Sequence, residues 1–140
     1  IEIFRNYSSL GMGGVSRASQ LFVSKLLDLQ RVSQSRIAVS KFFEAQRNKY
    51  RQAFTDLGME LHTGDGGFYH WGKLPGSLSA REFNERLFKR NAAILPGTLC
   101  DMQRRGDDGP YKQMFRFSFG AVKPEDFDES IGIIRECLQP

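Results

Sequence analysis

The sequence has few of the residues that build metal centres and disulfide frameworks. It contains two cysteines and two histidines among 140 residues. Cys100 and Cys137 do not form a C-x-x-C pair, and His62 and His70 lie far from any acidic cluster. A metal site needs three or four converging ligands. We therefore expect no bound metal, and two free thiols of the kind found in a reducing compartment.

Long apolar runs are also missing. No stretch approaches the roughly 20 apolar residues that span a bilayer. No basic segment followed by an apolar run opens the chain, so no secretory signal is recognised. These absences predict a cytoplasmic protein without a membrane partner. The first residue is Ile1 rather than methionine, which is typical of a fragment or a processed chain.

The sequence has no strong excess of one charge. Twenty basic and sixteen acidic residues are mixed along the chain, and the formal net charge is +4. The densest basic pair, Arg104 and Arg105, is surrounded by Asp101, Asp107 and Asp108. Proteins that bind nucleic acids concentrate lysine and arginine on one face or stripe. The charge pattern therefore argues against a nucleic-acid partner.

What is present is the composition of one ordinary globular domain, with 40% hydrophobic and 26% charged residues. Apolar residues at three- and four-residue steps predict helices, and short alternating runs predict strands. The predicted helices cover 16–29, 35–57, 79–91 and 124–138, with a polar turn at 30–35, and the predicted strands cover 59–61, 68–71, 92–95 and 113–122. Residues 98–112 are expected to form a mobile loop. This order predicts an α+β fold, a two-layer domain with helices packed on a small mixed sheet.

The clearest strand carries an arginine opposite a row of phenylalanines. Phe115, Phe117 and Phe119 share one face because side chains alternate along a strand, and that face must belong to the core. Arg116 then lies in the middle of the opposite face. A guanidinium there either binds a carboxylate ligand through its planar fork, or is paired with a local acid or simply exposed to solvent. The strand pattern alone does not choose between these alternatives.

Two further patterns have plainer explanations. Gly11 to Gly14 precede a helix and could cradle a phosphate, but Ser16 occupies the third glycine position of a dinucleotide fingerprint, and Glu44, the acid nearest the required spacing, lies inside a long helix. We expect a flexible connection there, and keep a phosphate- or nucleotide-binding protein as a weaker alternative. The aromatic run at Phe68, Tyr69 and Trp71 is expected to fill the core rather than form a stacking platform.

Several motifs, taken in order, resemble the C-terminal end of the class I/II aminotransferases, which are fold-type I enzymes dependent on pyridoxal phosphate. The resemblance covers residues 15–138. The motifs are the Ser-x-x-Ser-Gln of 16–20, the long arginine-rich helix ending at Leu57 and Gly58, the Gly-Gly-Phe-Tyr of 66–69, the Leu-Pro-Gly-Thr of 95–98, the Phe-Arg-Phe-Ser-Phe of 115–119 and an amphipathic terminal helix.

The resemblance implies a domain organisation. Residues 1–15 would be the end of an inter-domain connection, and residues 16–140 the small C-terminal domain of the enzyme. In the family the catalytic lysine and the cofactor-binding residues lie upstream in the large domain. The resemblance therefore implies no catalytic residue and no cofactor ligand in this chain, and pyridoxal 5'-phosphate bound only by the full-length enzyme.

The resemblance also implies a binding site. Arg116 matches the arginine that binds the α-carboxylate of the substrate in the family. Gly67, Pro96 and Gly97 would lie at the rim of the active site. Lys41 follows a serine, as the Schiff-base lysine does, but it lies inside an amphipathic helix and closer to Arg116 than the order of the family allows. We expect Lys41 to be a solvated helix residue.

These implications leave two main hypotheses of function. In the first, the chain belongs to a transaminase that moves an amino group between an amino acid and a 2-oxo acid. Its partners would be the large domain, a second subunit in a homodimer and the substrate, and the isolated chain would be inactive. In the second, it is a free-standing, non-catalytic binding or interaction module derived from that domain.

Overall fold

The computed structural model describes residues 2–7 and 16–139. Gly11 to Gly14, the candidate phosphate loop, lie outside the described residues. Contacts between residues divide the chain into two compact units, residues 1–39 and residues 40–140. The boundary predicted between residues 15 and 16 stays a prediction.

The first unit contains helix α1 (Glu2–Tyr7), helix α2 (Arg17–Leu26) and the beginning of helix α3 (Leu29–Asp56). The oxygen of Ser16 accepts the Ser19 amide at 3.5 Å and begins α2. A carboxylate oxygen of Asp28 accepts the Arg31 amide at 2.8 Å and begins α3. The turn predicted at 30–35 is therefore wrong. That stretch is polar but holds no glycine or proline to stop a helix, whereas Asp28 supplies an N-cap.

The second unit contains the sheet and the remaining helices. They are strands β1 (Glu60–Leu61), β2 (Tyr69–Lys73), β3 (Leu95–Pro96) and β4 (Met114–Ser118), and helices α4 (Ala80–Phe88) and α5 (Phe127–Leu138). The strand order is β1-β2-β4-β3, and each of the three pairings is antiparallel. The predicted α+β two-layer class is confirmed. The sheet was expected to be mixed, but all three of its pairings are antiparallel.

The core lies between one face of this sheet and the helices. Phe115, Phe117 and Phe119 are buried on that face, as their alternation predicted. The helices contribute Tyr50 and Phe54 from α3, Phe83 and Leu87 from α4, and Ile131 and Ile134 from α5. Side chains on the opposite face of the sheet lie outside this core, and we call that side the open face.

Two helix boundaries follow local signals in the sequence. Gly58 adopts a φ of +78° just after α3, a conformation that glycine reaches without strain. Ser79 accepts the Glu82 amide at 3.1 Å and begins α4. Both boundaries confirm the sequence analysis.

Candidate functional site

Arg116 lies at the centre of the open face of the sheet. Its strand neighbours are Trp71 on β2 and Leu95 on β3. Phe115 and Phe117, on either side of it in the chain, are buried, whereas Arg116 is exposed. Because β4 is hydrogen-bonded on both sides, the backbone under the guanidinium is held rigidly.

The guanidinium of Arg116 meets an aromatic ring rather than an acid. Its carbon Cζ lies 5.5 Å from the centroid of the Tyr69 ring. None of the ion pairs within 2–7 and 16–139 includes Arg116. A local acid partner, one of the alternatives left by the sequence, is therefore not found among these residues. The planar donor edge remains available to an external anion.

The aromatic run beside Arg116 is not in the core, and the prediction that it fills the core is wrong. Phe68 and Tyr69 are 52% and 45% exposed, and Trp71 is half-buried. His70, between the last two, is the side chain of this run that points into the core, with 0% exposed. For Tyr69 and Trp71 the cause is strand alternation, since they share one face with the charged Lys73, whereas Phe68 lies before β2. That charged residue was the signal that sequence reasoning missed.

The open face gains a further aromatic residue from outside the strands. The ring of Tyr111 lies 6.0 Å from the Trp71 ring in an edge-on arrangement. Sequence reasoning did not single out Tyr111, because its position depends on how the loop before β4 approaches the sheet. Aromatic side chains thus border the candidate site on the β2 side.

Pro96 and Gly97, two predicted rim residues, lie at the beginning of β4. Pro96 is paired with Phe115 and is buried. A Cβ atom added to Gly97 would lie 2.6 Å from the Met114 Cβ and 2.7 Å from the Met114 carbonyl oxygen. Only glycine permits this approach. Gly97 therefore sets how closely the loop after β3 meets the strand that carries Arg116.

Gly67, the third predicted rim residue, lies near the opposite end of β4. It has a φ of +83° and precedes Phe68. The Phe68 carbonyl accepts the amides of Phe119 at 3.0 Å and Gly120 at 3.2 Å. The three predicted rim residues thus lie near the two ends of the strand whose centre is Arg116. Their role at an active-site rim stays a prediction.

Two arginines of α3 hold the loop that leads into β2. Nη1 of Arg47 donates to the Asp65 carbonyl, and Nη2 of Arg51 donates to the Gly64 carbonyl at 3.3 Å. Arg47 and Arg51 are four residues apart, so they lie on the same face of the helix. They fix the glycine loop against the core, and with it the start of the strand that carries Tyr69.

His70 holds the same strand from the core side of the sheet. Its Nε2 lies 3.1 Å from the Arg47 carbonyl, which can only accept, so Nε2 carries the proton. Nδ1 therefore accepts the Thr63 hydroxyl at 2.9 Å. Burial, opposed in part by the bond to the Arg47 carbonyl and assisted by the charge of Arg51, lowers the pKa of His70 to about 4. A neutral imidazole thus holds β2 on the face opposite to Tyr69 and Trp71.

The segment after Gly97 was expected to be a loop, and it is organised around one carboxylate. Asp101 is buried and accepts two hydrogen bonds from the Arg105 guanidinium, at 2.9 and 3.1 Å. It also accepts the backbone amides of Gln103 and Arg105, each at 3.1 Å. The side-chain bonds from Arg105 hold the pKa of Asp101 down to about 2. The centre of the segment is therefore ionised at neutral pH.

The setting of Lys41, the residue compared with a Schiff-base lysine, does not suit that role. Lys41 lies on the exposed surface of α3, away from any strand-to-loop turn. The described histidines, cysteines and acids also form no group of three that could hold a metal ion. Cys100 is an exposed free thiol and Cys137 a buried one. None of the helices in the described ranges is long and apolar enough to cross a bilayer.

Comparison with known proteins gives matches only among solved structures, since no protein family and no curated protein matches this sequence. The α-aminoadipate aminotransferase of Thermus thermophilus is 21% identical with a TM-score of 0.69, and the match covers 85% of this chain and 30% of that one. A probable N-succinyldiaminopimelate aminotransferase, also of Thermus thermophilus, is 26% identical with a TM-score of 0.57, over 82% of this chain and 28% of that one. The kynurenine aminotransferase of Pyrococcus horikoshii is 24% identical with a TM-score of 0.59, over 70% and 24%.

These matches establish the fold. The chain is similar to one part of fold-type I aminotransferases, which confirms at the level of the fold the resemblance carried by the sequence motifs. It spans less than a third of each of these structures.

Proposed function

We propose that this chain is the C-terminal small domain of a pyridoxal-phosphate-dependent aminotransferase, and that Arg116 binds the α-carboxylate of its amino acid and 2-oxo acid substrates. Residues 16–140 would form this domain, and residues 1–15 the end of the connection from the large domain. One observation carries the proposal. An arginine without an acid partner among the described residues lies at the centre of the open face of a sheet with an aminotransferase fold.

The chemistry of Arg116 suits this role. A guanidinium donates two parallel hydrogen bonds to a carboxylate, and such charge-assisted bonds are stronger than neutral ones. Both substrates of a transamination carry the same α-carboxylate. One arginine on a rigid strand can therefore hold either of them in the same orientation, and closure of the domain over the site would exclude water.

The first unit supports a larger partner. Every described residue between 16 and 39 is exposed. Large apolar side chains are among them, including Leu21, Phe22, Leu26, Leu27, Leu29, Ile37 and Val39. Clustered exposed apolar residues mark interaction surfaces. We infer that the large domain of the same protein covers them, and that the full-length protein forms a homodimer.

The cofactor belongs, in this proposal, to that large domain. Pyridoxal phosphate would supply the electron sink of the reaction when bound there. Because the resemblance implies that the catalytic lysine and the cofactor-binding residues lie in the large domain, no chemical step is assigned to the described residues. Their part is to bind and orient the substrate carboxylate, and the isolated chain is expected to be inactive.

The proposal is tested by replacing Arg116 in the full-length protein. Arg116→Gln removes a charged double donor, so we expect kcat/KM to fall roughly 10- to 150-fold for amino acid and 2-oxo acid alike, from the value of hydrogen bonds to charged groups. Steady-state kinetics with both substrates measures this. Arg135→Gln, an exposed arginine on α5, is the matched control and should leave kcat/KM unchanged. An unchanged kcat/KM in Arg116→Gln would show that Arg116 does not bind the carboxylate.

A further inference from the structure

We propose that Tyr69 is a positioning residue for Arg116, holding the guanidinium over the open face by a cation–π contact. This inference rests on the proposed function, because it concerns how the carboxylate-binding arginine is prepared for its ligand. The distance of 5.5 Å from Cζ to the ring centroid lies within the range of about 6 Å over which such contacts act.

The pairing of β2 with β4 brings the two side chains together. Tyr69 is opposite Ser118, and Trp71 is opposite Arg116. Tyr69 and Arg116 are thus diagonal neighbours on the same face, a separation that an aromatic ring and a long side chain can bridge. The contact follows from the register, and a shift of one residue would place the ring on the core side.

The Tyr69 ring is itself supported by its neighbours. The Phe68 ring meets it edge-on, with the centroids 5.8 Å apart. Phe68 in turn lies close over Gly120, where an added Cβ would be 2.9 Å from the Phe68 ring carbon Cδ2. The Phe43 ring, 6.2 Å away, contacts Phe68 from α3. Tyr69 is therefore held in place although nearly half of it is exposed.

An aromatic partner has one advantage over an acidic partner. A ring attracts the guanidinium through its π-electron face and accepts no strong hydrogen bond from its N–H groups, whereas a carboxylate ligand uses the donor edge in the plane. Tyr69 thus restricts the arginine without competing for its hydrogen bonds. A long exposed side chain loses rotamer freedom when it binds, and restricting it beforehand reduces that loss.

The test uses nuclear magnetic resonance of the full-length protein with isotope-labelled arginine, and 2-oxoglutarate is the probe. The ring current of Tyr69 should shift the Arg116 Nε–H resonance upfield in the wild type. Tyr69→Leu should abolish this shift and raise the Kd for 2-oxoglutarate about two- to five-fold, as expected for an exposed cation–π contact. Tyr69→Phe keeps the ring and should keep both values. Phe88→Leu, an exposed aromatic on α4, is the matched control.

Each outcome decides one of the two proposals. The positioning role would be overturned if Tyr69→Leu did not move the Arg116 resonance. It would also be overturned if Tyr69→Phe and Tyr69→Leu weakened 2-oxoglutarate binding equally, since the hydroxyl rather than the ring would then matter. If Arg116→Gln leaves 2-oxoglutarate binding unchanged, the proposed function fails instead. The ring-current shift still tests Tyr69 in that case, because it requires no ligand. Backbone amide spectra show whether each variant keeps the fold.

Discussion

The imidazole of His70 shows how a buried polar residue depends on partners that are distant in the chain. Thr63 supplies a donor and the Arg47 carbonyl an acceptor, seven and 23 positions away. Both bonds require a neutral ring with its proton on Nε2. Protonation of Nδ1 would remove the acceptor for Thr63 and place a charge near the Arg51 guanidinium. Burial is the largest cause of the lowered pKa.

This lowered pKa predicts an acid-sensitive fold. Below pH 6.5, the ordinary pKa of histidine, His70 takes up a proton in the unfolded chain. In the folded chain its lowered pKa keeps the imidazole neutral down to about pH 4. The contribution of neutral His70 is complete above pH 6.5 and is lost as the pH falls, so the free energy of unfolding should decrease by about 3 kcal/mol from this group. Urea denaturation between pH 7 and pH 4 measures the slope.

His70→Gln is the control for that slope. Its amide can donate to the Arg47 carbonyl and accept from Thr63, but it does not titrate. The variant should be less stable than wild type at pH 7 and show a shallower loss toward pH 4. An equal slope in both proteins would mean that the carboxylates, and not His70, cause the acid sensitivity.

At the level of elements, helix boundaries and the segment after Gly97 both follow short-range chemistry. Ser79 and Gly58 act within three residues of the helix end they define, so the sequence predicted both. The break at Asp28 was missed because polarity was used as the sign of a turn, whereas a capping carboxylate decides where the helix starts. The segment after Gly97 is also organised by short-range bonds, since Asp101 accepts hydrogen bonds from Gln103 and Arg105, two and four residues on.

This segment gives a prediction at the same scale. Asp101→Asn keeps the size of the side chain but removes the charge that Arg105 and two backbone amides require. We expect the segment to open more often, so trypsin should cleave after Arg104 and Arg105 faster by about an order of magnitude or more. Mass spectrometry of a limited digest identifies the cut. Asp108→Asn, an exposed acid in the same segment, should be cleaved at the wild-type rate, and equal rates in the two variants would contradict a structural role for Asp101.

At the scale of the whole molecule, the first unit carries an unusual surface. Its residues 16–39 are exposed throughout, although many of them are apolar. Between residues 17 and 39 the basic residues are Arg17, Lys25, Arg31 and Arg36, with Asp28 as the one acid. We expect a partner with apolar and acidic residues to cover this surface, namely the large domain of the same protein.

The mass of the native protein tests this expectation. An antibody raised against the chain should detect a band about three to four times larger than 16.0 kDa in the source cell, since the chain spans 24–30% of the compared structures. The purified chain, run beside the lysate, is the size control. A band at 16.0 kDa would favour the free-standing binding module instead, and the search would turn to a separate partner protein.

The sequence by itself determined the fold class, the phenylalanine core face of β4, two helix ends and the position of Arg116 on the opposite face. Each of these depends on residues close together in the chain, where periodicity and capping act. Tertiary structure decided the rest. Register placed Tyr69 beside Arg116, the close contact at Gly97 set the approach of its loop, and the partners of His70 hold this polar group in a buried position. Each of these contacts depends on how the whole sheet and its helices pack, so no local sequence pattern predicts it.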